Sequence, residues 1–296
     1  MKRILIVGCG DIALRVAALL KNRYRLFGLV RNVARFQDLR AAGITPVPGD
    51  LDLRKSLHRL PGLAHIVLHF APPVPLRNET AGEAGDTRTR NLLAALSCAK
   101  PPQRLIYIST SGVYGDCAGA LVSETRRLNA QNVRAQRRVA AENLIRNWAA
   151  GRGVNAGILR VPGIYAADRL PLERIRSGVP AIIADEDNYT NHIHADDLAR
   201  IVVAALRHAK PNRVYHTSDD SVLKMGSYFD AVADACNLPR PPRVSRAQAQ
   251  RVLSPMMLSF MNESRQLCNT RLKQELRVVL RHPTVAHMLA ELSPRC

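Results

Sequence analysis

Lys2-Arg3-Ile4-Leu5-Ile6-Val7-Gly8-Cys9-Gly10-Asp11-Ile12-Ala13 decides the fold. A short apolar, β-rich run feeds a Gly-x-Gly-x-x-Ala turn. Ile12, Val16, Leu19 and Leu20 then recur as on one face of a helix. Strand, glycine turn and helix in that order read as a dinucleotide-binding fingerprint. Gly8 permits the tight turn. Gly10 lets a pyrophosphate approach the backbone at the start of the helix, Asp11 and Ile12, where N–H groups and the helix dipole favour anionic charge. Ala13, in place of a third glycine, still allows close helix–strand packing.

Outward from this turn, short apolar segments alternate with helical ones. The expected strands are Ile4–Val7, Arg25–Val30, Thr45–Pro48, Ile66–Phe70, Leu105–Ser109 and Asn155–Leu159. Helical patterns cover Asp86–Ala99 and Ala130–Ala149. Such alternation favours an α/β fold, a Rossmann-type doubly wound parallel sheet that binds ligands beyond the carboxyl ends of its strands. Further on, Leu170–Val179 reads as a helix ending near Gly178, Asp196–Ala209 as another, and Val214–Thr217 as a strand. Leu238–Val244 reads as a loop and the last fifty residues as mainly helical. The expected organisation is an NADP-binding Rossmann domain over 1–165, completed by about 190–220. A smaller, mostly helical substrate-side region takes about 166–190 and 221–296.

The chain has 296 residues, 47% of them hydrophobic and 23% charged, which is a globular composition. Apolar runs are strand-sized, so no membrane helix is expected, and no signal-peptide cleavage region follows the basic N-terminus. The six cysteines are scattered without a Cys-x-x-Cys pair, which suits reduced thiols in a cytoplasm. A formal charge of +19 attracts anions. The basic residues are mostly arginine spread along the whole length, aromatics are 4%, and no nucleic-acid-binding motif is visible. The charge is therefore read as a solvated basic surface, and no specific nucleic-acid partner is expected.

About twenty residues beyond the glycine turn, NAD-selective sites place an acidic residue for the ribose 2′-OH. This chain has Leu29-Val30-Arg31-Asn32, with Arg35 nearby. A guanidinium there pairs with a 2′-phosphate, so NADP(H) is the expected cofactor, with NAD as the alternative. Ordered signals follow: Pro48-Gly49-Asp50-Leu51, His69-Phe70-Ala71-Pro72-Pro73, and Ile108-Ser109-Thr110-Ser111-Gly112-Val113-Tyr114-Gly115. Then come Leu159-Arg160-Val161-Pro162-Gly163-Ile164-Tyr165 and Asn191-His192-Ile193-His194-Ala195-Asp196-Asp197-Leu198-Ala199.

This set resembles the extended short-chain dehydrogenase/reductase superfamily, the NAD(P)-dependent epimerase/dehydratase group. The resemblance covers about residues 1–220, and Asn269-Thr270-Arg271-Leu272-Lys273-Gln274-Glu275-Leu276 also fits. It implies cofactor contacts near Gly8, Gly10, Arg31, Asp50, Leu51 and Ala71, a substrate-side role for Thr110, and backbone contacts from Pro162 to Ile164. It implies a small-molecule substrate, anionic or a nucleotide sugar; a homodimer is also possible on the sequence. One departure matters. The group carries Tyr-x-x-x-Lys on the helix after the fifth strand. Here Arg134 stands at the tyrosine position and Arg138 at the lysine position, and no tyrosine occurs from 115 to 164.

Arg134 and Arg138 are four apart, so they share a helix face. Arg138 can still donate to a ribose. Arg134 cannot readily exchange a proton, because an arginine pKa exceeds about 12. The pair is expected to clamp an anion, with Arg137 solvated between them. Tyr114, Tyr165, His192 and His194 are the titratable substitutes, and the two histidines are expected to point in opposite directions about Ile193. Asp196 or Asp197 reads as a helix cap, and no metal is expected. Two function classes follow: an oxidoreductase or epimerase-like enzyme with altered proton transfer, or a cofactor sensor without turnover.

Overall fold

The structure is a computed structural model that describes residues 1–73, 85–254, 257–258 and 261–292. Among these, seven strands form one sheet: β1 (Arg3–Val7), β2 (Arg25–Val30), β3 (Ile44–Pro48), β4 (Ile66–His69), β5 (Arg104–Thr110), β6 (Asn155–Val161) and β7 (Arg213–His216). Their spatial order is β7-β6-β5-β4-β1-β2-β3, and every pairing is parallel. The order reverses between β1 and β4, which is the switch point where doubly wound sheets take ligands.

Side-chain alternation along the strands builds two cores from one sheet. Ile4 and Ile6 of β1, with Ile106 and Ile108 of β5, face one way. They pack with Ala13, Val16 and Leu20 of α1 (Asp11–Leu20) and with Leu198, Ile201 and Val202 of α6 (Ala195–His208). Leu5, Val7, Leu105 and Tyr107 face the other way. They meet Leu92 and Leu96 of α3 (Thr87–Leu96) and Ala141, Ile145 and Ala149 of α4 (Val133–Arg152). Between these lie α2 (Phe36–Ala41) and α5 (Leu172–Arg176). A separate cluster joins Tyr165, Ile175, Phe229 and Val232 of α7 (Met225–Ala235), and Val285 and Met288.

Several expectations need correction. The helix read as Leu170–Val179 shrinks to α5, because Gly178 takes a left-handed φ of +64° just beyond it. The last fifty residues are mainly helical among those described, as expected, but the helices are short: Arg246–Val252, Thr270–Glu275 and Val285–Leu292, joined by turns and one two-residue strand, Gln266–Leu267. The cap of α6 is His194, whose Nδ1 accepts from Asp196 N at 3.3 Å, not an aspartate. Asp197 is fully buried and instead accepts backbone N–H groups from Arg281 and His282. His192 and His194 do not diverge. Alternate residues of a strand share a face, and both rings lie edge-on to Tyr165. Cys9, Cys98, Cys117 and Cys268 are free thiols.

Candidate functional site

The glycine turn closes against β4. Gly8 has a φ of +95°, and a Cβ there would sit 2.4 Å from Ala71 N. Only glycine fits that approach. A Cβ on Gly10 would meet nothing within 4 Å, so open space lies directly before the first turn of α1. Those two observations fit a pyrophosphate seated on the helix N-terminus. Asp11 turns its carboxylate sideways, to Arg15 at 3.0 Å and Arg169 at 2.9 Å. Ile12 packs at the edge of the first core. Beyond β3, the Asp50 carboxylate accepts from Asp52 N at 2.9 Å and the Leu51 carbonyl from Asn91 Nδ2 at 2.8 Å.

A cavity of about 1070 Å³ runs along the carboxyl edge of the sheet. One end is bounded by Arg31, Asp52 and Arg88, and Thr110, Ser111 and Gly112 form its floor. Arg134, Arg137 and Arg138 of α4 project from one side. Pro162, residues 188–191, Glu263 and Arg265 close the far side. Six arginines thus face two carboxylates, and each carboxylate is paired with one of them. Arg88 grips Asp52 through two hydrogen bonds of 2.8 and 2.6 Å. Those bonds hold the Asp52 carboxyl below the usual range, and Arg31 adds a weaker attraction. Arg265 holds Glu263 at 2.8 Å. The cavity lining is therefore net positive, which favours anionic groups over cationic ones.

Each expected residue has a definite place. Thr110 caps the turn after β5, its Oγ1 accepting from Gly112 N at 3.3 Å, and it lines the cavity. Arg31 is exposed at the cavity mouth. Arg134 and Arg138 share the helix face that the cavity meets. Arg138 donates to Tyr107 Oη at 3.0 Å and to the Ile108 carbonyl at 2.7 Å, so its guanidinium is braced against β5. Arg137 is not the solvated member of the trio: it is 2% exposed and lines the same cavity.

Tyr114 is placed elsewhere. It is 1% exposed and does not line the cavity. Its Oη accepts from Arg160 Nη1 at 2.5 Å and bonds His216 Nε2 at 2.6 Å. Burial pushes its pKa up to about 12. A group so enclosed serves the core and not a substrate. His194 is committed to capping α6 and also lies outside the cavity lining.

Sequence reading missed Glu263 and Arg265. Glu263 Oε1 accepts from Asn132 Nδ2 at 3.1 Å while Oε2 takes Arg265. A Cβ built on Gly112 would lie 3.6 Å from Thr110 Oγ1 and 3.8 Å from Glu263 Oε2, so the two oxygens flank one point. Asn191 ties this segment down, donating to the Arg265 carbonyl and accepting from Leu267 N. No spacing rule links residue 263 to residue 110; only the return of the chain does.

The family model for the NAD-dependent epimerase/dehydratase family matches residues 5–217. The chain belongs to that family. No curated protein matches it. Among solved structures, a functionally unknown conserved protein from Silicibacter pomeroyi DSS is 26% identical over 99% of both chains, with a TM-score of 0.79. The UDP-glucuronic acid 4-epimerase from Bacillus cereus, solved with UDP-glucuronic acid and NAD, is 18% identical. That match covers 99% of this chain and 98% of that one, with a TM-score of 0.76. The UDP-N-acetylglucosamine 4-epimerase from Methanobrevibacter ruminantium M1, solved with UDP-N-acetylmuramic acid, is 14% identical. It is covered to 97%, against 99% of this chain, with a TM-score of 0.77. At these identities the two epimerases share the fold. This family member has the glycine turn, and Arg134 and Arg138 of α4 line its cavity.

Proposed function

We propose that the protein is an NADP(H)-dependent oxidoreductase or epimerase-like enzyme acting on a small anionic substrate, with a nucleotide sugar as the candidate class. The observation that carries this reading is the single cavity joining Arg31, at the end of β2, to Thr110 beneath the arginines of α4. When bound, the nicotinamide supplies a hydride acceptor or donor. Thr110 holds the substrate oxygen. Arg134, Arg137 and Arg265 hold its anionic part, and Arg138 braces β5 while reaching toward the ribose. The arginines stay protonated, so they hold charge and do not pass protons. Glu263 takes that task, since its Oε2 and Thr110 Oγ1 flank one point on the cavity floor.

The expected test is turnover of nucleotide sugars and related anionic alcohols and ketones with NADP(H). Glu263→Gln is expected to lower kcat by about 10²–10⁴-fold, as loss of a proton-transfer group does. Cofactor affinity should stay unchanged. An unaltered kcat removes Glu263 from the mechanism. Cofactor binding without turnover of any substrate favours the second reading, a sensor, which the two arginines at the tyrosine and lysine positions support.

Cofactor choice is tested separately. Arg31 stands where an acidic ribose ligand would select NAD, and Asp52 beside it is neutralised by Arg88. NADP(H) is expected to bind more tightly than NAD(H), and Arg31→Ala to remove about 1.5–3 kcal/mol of that preference. Titration of both cofactors at fixed salt checks it; equal affinities in the parent protein reject the assignment.

A further inference from the structure

His282, His287 and Glu291 lie far along the chain from the glycine turn and outside the cavity lining. One nitrogen from each histidine and a carboxylate oxygen of Glu291 fall within 4.8 Å of one another. We infer that these three side chains form a binding site for a divalent transition metal of the zinc class. Such an ion bound by histidine nitrogen and carboxylate oxygen at about 2.0–2.2 Å holds its ligands about 3.4 Å apart. Closing the cluster takes only small side-chain movements, and water completes a tetrahedron.

The site is held ready from outside. His287 and Glu291 stand one turn apart on the helix Val285–Leu292, so both project from one face. His282 lies just before that helix. Its backbone N–H donates to the buried Asp197 carboxylate at 2.8 Å, and that of Arg281 does so at 2.9 Å. Its ring stacks on His194 with centroids 3.9 Å apart. Yet His282 Nδ1 is buried with no hydrogen-bond partner. The nearest Glu291 oxygen lies 3.7 Å from it, while Glu291 reaches His287 Nδ1 at 3.5 Å. A buried ring nitrogen left without a hydrogen bond is costly as it stands. A cation between the two satisfies both groups. The ion would fasten the last described helix, which packs on α7, to the segment that Asp197 anchors at α6.

The test uses the full chain, stripped with a chelator and titrated with Zn²⁺ by calorimetry and with Co²⁺ by visible absorption. One equivalent of Zn²⁺ is expected, together with a raised thermal midpoint. The Co²⁺ spectrum should show tetrahedral bands without thiolate charge transfer, which distinguishes this site from the scattered cysteines. His287 is 48% exposed in its side chain, so His287→Ala should fold normally. That variant and Glu291→Gln should each weaken Zn²⁺ binding at least about tenfold, the loss that even an outer-shell change brings. Absence of stoichiometric binding overturns the inference. So does binding that survives both substitutions or shows thiolate ligation.

Discussion

Glu142→Ala should destabilise the protein by about 3–5 kcal/mol, as removal of one partner from a buried ion pair does. Glu142 of α4 and Arg160 of β6 are 1% and 2% exposed. Arg160 donates to the two carboxylate oxygens at 3.1 and 2.7 Å, and Ser109 Oγ of β5 donates at 2.6 Å. Alanine would strand the Arg160 charge. The network extends inward. His216 Nδ1 faces the Cys268 carbonyl at 2.9 Å, and a carbonyl only accepts, so that nitrogen carries the hydrogen. Its Nε2 then accepts from Tyr114 Oη, which in turn accepts from Arg160. Tyr114→Phe is expected to cost less, about 1–3 kcal/mol, through the partners left unpaired. Replacing Glu142 and Arg160 together by methionine should recover much of the larger loss. Urea unfolding of the four proteins measures all of this. A Glu142→Ala loss below about 1 kcal/mol would mean that the pair does not carry the junction of α4 and β6.

Acid should unfold the protein above about pH 4, through histidines buried in their neutral form. Burial pushes His69 and His216 down to about 3 and His192 down to about 4. These rings are neutral in the fold, whereas unfolded histidine takes a proton near pH 6.5. Their stabilisation is complete above that value and is lost as pH falls toward 3–4. Between pH 6.5 and 4.5 each ring removes about 2.3 kcal/mol, roughly 7 in all. Asp219 pulls the other way: burial raises it to about 7, so its protonation regains about 2 kcal/mol over the same window. The net loss of about 5 kcal/mol compares with a whole-domain stability of about 5–15 kcal/mol. The fluorescence of Trp148, followed from pH 7 to 3, should therefore show unfolding above about pH 4. His192→Phe keeps a ring among Tyr165 and Tyr228 and cannot titrate. It should move the midpoint to lower pH; an unmoved midpoint would remove His192 from the acid response.

The fold was legible because its signals are local. Ile4 and Ile6 against Leu5 and Val7 announce a strand buried on both faces, and the glycine turn after them leaves one chemistry for the next residues. The ends of β1 to β6 gave Thr110, Pro162 and Arg31 their places, since a parallel sheet collects such ends at one edge. Arg134 and Arg138 shared a face by helical period alone. Arg137 did not follow, because a helix turned into a concave cavity edge buries more than one stripe. Tyr114 looked available, since its sequence neighbour Thr110 is at the site. The tight turn Ser111–Tyr114 rotates it into the core instead.

By itself the sequence determined the doubly wound sheet, the glycine turn between β1 and α1, and the shared helix face of Arg134 and Arg138. Tertiary structure alone decided which titratable group stands beside Thr110, which arginines are committed to the core, and that Asp197 anchors the His282 segment. The division has a physical reason. Periodicity and turn chemistry act over a few residues, whereas Glu263 meets Gly112, and His282 meets Asp197, only after the chain has folded back across a packed sheet.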